Sequence, residues 1–200
     1  MNILFLEPFC TGSHKSWVDG IKEQSNHEIS VLGMAGRFWK WRMHGGSVHI
    51  AEKFNKLEQK PDLIIASDMI DLSGFLSLTR KKSYSIPVAI YFHENQLTYP
   101  WSPEDPDKKN NRDRHYAFIN YISALSADYV FFNSEFHMKS FIGALAPFLK
   151  QFPDYNELGS IKEIKKKSEV LPLGIDLRIF DNCNRAEEKH NRVPILLWNH

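Results

Sequence analysis

Four consecutive side chains that can form hydrogen bonds follow the apolar run PVAIYF; they are His93, Glu94, Asn95 and Gln96. Strand packing does not require them, and in open α/β sheets ligands bind beyond the carboxyl ends of the strands. A histidine at that edge can donate to a substrate hydroxyl or take part in proton transfer. The residue four positions after His93 is not a histidine, so the helical zinc motif is absent and no metal is expected. A loop histidine bonded to nearby backbone is the alternative.

A second polar segment follows the first apolar run and comprises Gly12, Ser13, His14 and Lys15. Gly12 allows a tight turn and Ser13 can cap a helix, whose N-terminal N–H groups suit an anion or a sugar hydroxyl. The three-glycine dinucleotide fingerprint and the phosphate-loop lysine pattern are both missing, so nucleotide binding has weak support here. A capped turn without a ligand is the alternative.

Polar residues also follow two other apolar runs. Asp68 comes after DLIIAS and either binds a hydroxyl or caps the next helix. Asn133 ends the run YVFFN and can face the same cleft. Ser134 is expected to cap the following helix, with Glu135 in its first turn.

Residues 37–44 interleave three cations with three large aromatic side chains. Arginine and tryptophan together can stack bases and bind phosphates. The candidate RNA-binding residues are Arg37, Trp39, Lys40, Trp41 and Arg42. Two further basic clusters lie at 108–115 and 165–167. Each run alone is typical of a solvated surface, but three of them in one nearly neutral protein are compatible with an RNA-sized acceptor.

The elements that must position these residues follow from hydrophobic periodicity. Strands are predicted at 2–8, 28–32, 62–67, 87–92, 129–133 and 169–173. Helices are predicted at 13–24, 46–57, 72–82, 112–126 and 135–148, with loops at 34–46 and 94–111. Parallel strands need crossover helices, so this alternation predicts an α/β fold with a Rossmann-like, doubly wound parallel sheet.

Composition limits the class of protein. The chain has 200 residues, with 25 Lys and Arg against 24 Asp and Glu, which excludes a protein that coats polyanions through its global charge. Its hydrophobic content of 42% excludes a disordered chain. Cys10 and Cys183 make no disulfide framework or zinc knuckle and fit a reducing compartment. The apolar opening lacks a basic segment and is too short to span a bilayer. We therefore expect a soluble, cytoplasmic protein with no membrane partner.

Domain boundaries are predicted from a change in composition. Residues 1–180 carry the alternating pattern of one domain, and 181–193 have the polar composition of a linker. The run PILLW within 194–200 reads as the first strand of a second, truncated domain. A seventh strand of the same sheet is the alternative.

Five segments carry a family resemblance: GSHK, FWKWRM, YFHENQLTYP, FNSEFHMKSF and ILLWNH. In this order they resemble the tRNA-queuosine mannosyltransferase family and, more broadly, retaining glycosyltransferases of the two-Rossmann-domain (GT-B) type, family 4. The resemblance implies the N-terminal, acceptor-binding half of an enzyme whose C-terminal domain binds a nucleotide sugar, here GDP-mannose. It implies a tRNA acceptor and no cofactor beyond this co-substrate. It also implies that these 200 residues alone are inactive.

The resemblance assigns roles residue by residue. His93 matches the catalytic histidine that reaches the donor sugar near the reacting centre. Gly12 and Ser13 match the glycine-containing loop beside the donor phosphates, with His14 and Lys15 on the same loop. Residues 94–96 would shape the sugar pocket or contact the acceptor. Asn133 and Ser134 are further candidates for substrate binding, and no residue is assigned to a metal.

Retaining transfer would bring the attacking hydroxyl and the leaving phosphate together on one face of the sugar, with the phosphate taking the proton. The protein would then contribute positioning and charge stabilisation, in keeping with a sequence that shows no serine or cysteine nucleophile beside an obvious base. Two alternatives remain: a non-catalytic, single-domain RNA- or ligand-binding Rossmann-like module, and a single-domain cofactor-dependent enzyme.

Overall fold

Strands and helices alternate along the part of the chain that the computed structural model describes, residues 1–109 and 114–180. The strands are β1 (Asn2–Cys10), β2 (Glu28–Ala35), β3 (Leu63–Ser67), β4 (Val88–Phe92), β5 (Tyr129–Phe132) and β6 (Ser168–Val170). The helices are α1 (Gly12–Gln24), α2 (Trp39–Asn55), α3 (Leu72–Ser83), α4 (Pro106–Lys109), α5 (Arg114–Ser126), α6 (Glu135–Leu149) and α7 (Ser160–Lys166). A 3₁₀ turn follows at Leu177–Phe180.

All six strands are parallel and pair in the order β2-β1-β3-β4-β5-β6. The chain moves from β1 to β2 in one direction and then builds β3 to β6 on the other side of β1. The order therefore reverses between β1 and β3, which is where doubly wound sheets open a crevice for ligands. The predicted Rossmann-like α/β class is confirmed.

The two faces of the sheet are covered unequally. Helices α2, α3, α5 and α6 pack their apolar sides against one face, where they bury alternate strand residues such as Leu4, Ile64 and Ile90. The opposite face carries α1, whose Val18 packs with Phe5. Successive side chains of a strand point to opposite faces, so the odd-numbered residues of β1 lie on the α1 side. The candidate site lies on that side, at the carboxyl edge.

Helix α2 starts at Trp39, so the prediction of a loop over 34–46 and a helix from 46 is wrong. Gly45 and Gly46 suggested a break in the sequence, but both are packing glycines inside the helix. A Cβ on Gly46 would lie 3.0 Å from Cβ of Pro8, and one on Gly45 would collide with the ring of Trp41. The aromatic and basic residues from Trp39 onwards are therefore the first turns of a helix.

The other predicted elements are found with ends shifted by a few residues, and the short helix α4 lies within the predicted loop 94–111. The linker at 181–193 and the strand at 194–200 lie outside the described residues, as does part of the basic cluster 108–115. Within the described part of the chain, every helix is too short or too polar to cross a membrane.

Candidate functional site

The carboxyl ends of β1, β3 and β4 bring together a buried cluster of ionisable side chains. Glu7 lies in β1, Asp68 follows β3 and His93 follows β4, while His14 comes from the first turn of α1. The ring centroids of His14 and His93 are 4.2 Å apart. This cluster lies at the reversal point of the sheet, and it combines two of the predicted site residues with two carboxylates.

Glu7 is the anchor of the cluster, with only 1% of its surface exposed. Its Oε1 accepts from the backbone N–H of Phe9 at 3.0 Å and from the hydroxyl of Ser67 at 3.1 Å. Its Oε2 lies 3.0 Å from Nδ1 of His14, which donates to it. Glu7 thereby fixes the orientation of the His14 ring and leaves Nε2 as the nitrogen available to a ligand.

The charge of His14 is set by its neighbours. Burial alone lowers the pKa of an imidazole, but the hydrogen bond and negative charge of Glu7, with the charges of Asp68 and Glu94, raise the pKa of His14 to about 9. His14 is therefore an imidazolium at neutral pH. A buried carboxylate needs a compensating charge, and this cation supplies it for Glu7.

The ring of His93, unlike that of His14, carries no charge. Burial, together with the charges of His14 and His137, lowers the pKa of His93 to about 3, so its ring is neutral. Its backbone N–H donates to Oδ1 of Asp68 at 2.8 Å, and its carbonyl accepts from Nδ2 of Asn133 at 2.8 Å. Its buried Nε2 has no hydrogen-bond partner among the described residues. The position of His93 is thus held from both sides while one ring nitrogen stays available.

Asp68 is fully buried, and burial raises its pKa to about 7. The alternative role of Asp68 as a helix cap is wrong, because Asp71 accepts from the N–H of Gly74 and caps α3 instead. Oδ2 of Asp68 lacks a hydrogen-bond partner within the described part of the chain. Asp68 therefore positions His93 and can hold a proton near neutral pH.

The three residues that follow His93, Glu94 to Gln96, form a turn. Oδ1 of Asn95 accepts from the N–H groups of Leu97 and Thr98, both at 3.0 Å, so its side chain closes the loop. The N–H of Gln96 donates to Oδ1 of Asn120 at 2.7 Å. Burial raises the pKa of Glu94, opposed by the charge of His14. Glu94 is the acidic member of the segment that faces a cavity.

Two cavities adjoin this cluster and share Glu94. The larger, about 340 Å³, is lined by residues that include Gly12, Ser13, His14, Trp39, Glu94 and Gln96. The smaller, about 230 Å³, is lined by residues that include His93, Glu94, Asn95, Asn133, Ser134 and His137. The two cavities together contain most of the predicted substrate-binding residues.

Asn133 and Ser134 take part in a local network at the start of α6. Ser134 caps that helix, as expected, by accepting from the N–H of His137 at 3.2 Å. Oδ1 of Asn133 lies 3.1 Å from Nδ1 of His137. The Asn133 amide also donates to the carbonyl of His93, so it links the end of β4 to α6 beside the smaller cavity.

Several predicted residues lie outside the cluster. Lys15 forms an ion pair with Asp19 along the exposed side of α1. Lys40 bridges Asp105 and Asp107, with Nζ 2.6 Å from a carboxylate oxygen of each. The guanidinium of Arg42 donates to the carbonyl of Ala35 at 3.2 Å.

The cluster also has the composition of a possible metal site. One ligand atom each of Glu7, His14 and His93 lie within 4.8 Å of one another, and two imidazoles with a carboxylate suit zinc. However, Glu7 and His14 already bond to each other, and Glu7 accepts two further hydrogen bonds. An ion would have to replace the bond between Glu7 and His14, so we assign no metal here, and its absence stays a prediction.

Sequence reasoning did not find Glu7 or Asn120. Glu7 had a signal, because it is the acid that interrupts the otherwise apolar first strand. Asn120 had none, since it lies within a helix whose other buried residues are mostly apolar. Its Nδ2 donates to the carbonyl of Asp68 at 2.9 Å while its Oδ1 holds Gln96, so it joins the loops after β3 and β4.

A doubly wound parallel sheet with polar side chains gathered at its carboxyl edge defines a Rossmann-like ligand-binding domain. The model of the family "tRNA-queuosine alpha-mannosyltransferase N-terminal" matches residues 2–175, and the chain belongs to this family. A similar curated protein is the tRNA-queuosine alpha-mannosyltransferase of Drosophila melanogaster, 31% identical over 206 residues. The match covers 100% of this chain and 53% of the relative, so the chain spans about half the length of that protein.

Proposed function

We propose that this chain is the acceptor-side half of a retaining GT-B glycosyltransferase that moves mannose from GDP-mannose to queuosine in tRNA. Family membership supports the enzyme class, and the name of the Drosophila relative supports the mannosyl group and the acceptor. The single observation that carries the proposal within the molecule is the pairing of a charged His14 with a neutral His93 at the reversal point of the sheet. The donor-binding domain would lie in the other half of such an enzyme.

The reaction breaks the bond between the anomeric carbon and the phosphate oxygen of the donor. A bond from the acceptor hydroxyl oxygen to the same carbon replaces it on the same face, and the hydroxyl proton passes to the leaving phosphate. No protein nucleophile is needed in this scheme. The enzyme must therefore hold the two reactants close together in the correct orientation and stabilise the negative charge that develops on the phosphate.

The two histidines suit these tasks in different ways. The imidazolium of His14 can stabilise developing negative charge, aided by the N–H groups of Gly12 and Ser13 at the start of α1. The neutral His93 can hydrogen-bond a sugar hydroxyl without adding a charge. Glu94, shared by both cavities, can accept from hydroxyls of either reactant.

The proposal is tested by measuring mannose transfer from GDP-mannose to queuosine-containing tRNA with the full-length protein. Replacement His93→Ala should lower kcat by about 100-fold or more, the usual scale for removing one preorganised hydrogen-bonding group. His27→Ala is a matched control, because His27 is exposed and precedes β2, at the opposite edge of the sheet from the cluster. Equal turnover in His93→Ala and wild type would remove the catalytic role of His93.

The same assay distinguishes the reaction class from the identity of the donor and the acceptor. Transfer with another nucleotide sugar or another acceptor would keep the reaction class and reject the named substrate. Binding of RNA with no transfer from any nucleotide sugar would instead favour the non-catalytic binding module. The cytoplasmic location remains a prediction, which fractionation of cells would test.

A further inference from the structure

Two large aromatic side chains at the start of α2 are exposed to solvent. Phe38, the residue before the helix, is 75% exposed, and Trp41, three positions later, is 62% exposed. Trp39, which lies between them in the sequence, lines the larger cavity. We call Phe38, Trp41 and the underlying Gly45 the aromatic platform.

The backbone holds Phe38 in a conformation that its own packing does not explain. Its φ of 54° and ψ of 53° lie in the left-handed region, which is unfavourable for a residue with a Cβ. The guanidinium of Arg42 and the N–H of Arg37 both donate to the carbonyl of Ala35, and the N–H of Arg42 donates to the carbonyl of Phe38. These bonds stabilise the strained turn, and the result is an aromatic ring pointed at solvent. Strain that is maintained in this way is concentrated at functional sites.

The ring of Trp41 is also held in place. A Cβ built on Gly45 would lie 2.4 Å from Cζ2 and 2.5 Å from Cε2 of Trp41, so the indole lies directly over the glycine. Only a residue without a side chain permits this position. The helix therefore supports the indole against its backbone, while most of the ring remains open to solvent.

The intervening residues have a different role. Trp39 packs against Tyr116, with ring centroids 5.0 Å apart, and Lys40 is engaged by Asp105 and Asp107. Exposure thus separates the five sequence candidates into an inner pair, Trp39 and Lys40, and an outer group of the exposed Arg37 and Trp41 with the half-buried Arg42. The inner pair stabilises the wall of the cavity, and the outer group is presented to a partner.

We propose that the aromatic platform stacks unpaired nucleobases of an RNA loop whose backbone is contacted by Arg37 and Arg42. Every base has a π face, so exposed rings bind single-stranded RNA without requiring one sequence, and arginines beside them bind phosphates. Charge complementarity favours RNA over a protein partner, because cations flank the rings on both sides. The inference rests on the proposed function for the choice of acceptor, and it adds the surface that holds the RNA outside the reaction cavity.

The test is RNA affinity of the full-length protein, measured by fluorescence anisotropy with a labelled queuosine-containing tRNA. Phe38→Ala and Trp41→Ala should each weaken binding by about 10-fold or more. Gly45→Ala should weaken binding by displacing the indole, although alanine favours a helix more than glycine does. Tyr155→Ala is the matched control, since Tyr155 is an exposed aromatic residue, 87% exposed, with a positive φ like that of Phe38 but with acidic rather than basic neighbours in the sequence. Circular dichroism would establish that each variant keeps its fold.

The outcomes separate this inference from the proposed function. Loss of RNA affinity in the platform variants, with wild-type affinity for Tyr155→Ala, supports the platform even where the wild-type protein transfers no mannose. Unchanged affinity in all three platform variants overturns the platform, whatever the wild-type enzyme transfers. Unchanged RNA affinity together with altered self-association would also overturn it, and would assign the surface to a protein contact.

Discussion

The replacement Glu7→Gln tests the electrostatic basis of the candidate site. Glutamine keeps the shape of the side chain, and its amide oxygen can still accept from Phe9 and Ser67. It removes the negative charge and offers an amide N–H to Nδ1 of His14, which favours the neutral imidazole. Burial then lowers the pKa of His14 with only Asp68 and Glu94 left to oppose it.

The size of the effect follows from the pKa of His14, which is raised from 6.5 to about 9. At ~1.4 kcal/mol per pH unit, this interval corresponds to about 3 kcal/mol of preferential stabilisation of the charged ring. Because the folded-state pKa is raised, this contribution to the free energy of unfolding is fully present below pH 6.5. It is lost as the pH rises through about 9. In the Glu7→Gln protein, the free energy of unfolding should not show this decline as the pH rises.

Other groups near His14 titrate over a different range. The pKa of Asp68 is raised to about 7, so its contribution to stability is lost as the pH rises from about 4 towards 7. The pKa of His93 is lowered to about 3, so its ring stays neutral in the folded protein between pH 7 and 9. The difference between wild type and Glu7→Gln over this window therefore reports chiefly on His14.

Two measurements check this prediction. Side-chain NMR of His14 should show an imidazolium at pH 7.5 in the wild-type protein and a neutral ring in Glu7→Gln. Urea unfolding at pH 7 and pH 9 should show a steeper decline for the wild type than for the variant. Glu135→Gln is the control, because Glu135 forms an exposed ion pair with Lys139 away from the cluster. The same titration midpoint for His14 in wild type and Glu7→Gln would refute the reasoning.

Two further substitutions test local features of the site. Gly12→Ala should lower the free energy of unfolding by ~1 kcal/mol, because φ at Gly12 is +50° although a Cβ there would meet open space. Gly143→Ala is the control: its Cβ would also meet open space but its φ is not positive, so the free energy of unfolding should rise by up to ~1 kcal/mol. Urea unfolding in which both variants change stability in the same direction would contradict this account. Asp68→Asn should remove a pH dependence: the raised pKa of Asp68 makes the wild type lose stability as the pH rises from about 4 to about 7. Thermal unfolding across that range would show a flatter profile for the variant, and equal slopes would exclude Asp68 as the titrating group.

Local patterns in the sequence were sufficient for the elements and their order. Five of the six strands lie in apolar runs, β6 (Ser168–Val170) overlaps the start of the run VLPL, and the helices between the strands required parallel pairing. The polar residues at the ends of these runs, among them His14 and His93, were therefore expected at one edge of the sheet. Helix α2 was the exception, because Gly45 and Gly46 suggest a break until Pro8 and Trp41 are seen to occupy the space above them.

The sequence by itself determined the fold class, the family and the edge at which chemistry is expected, because hydrophobic periodicity and turn residues act over short stretches of chain. Only the tertiary structure decided which side chains meet and what charge they carry. Glu7 reaches Ser67 across 60 positions of sequence, and Asp68 reaches the N–H of His93 across 25. Burial and the charges brought in by other strands then make one histidine a cation and the other neutral. These effects depend on distances between elements, and no local pattern encodes them.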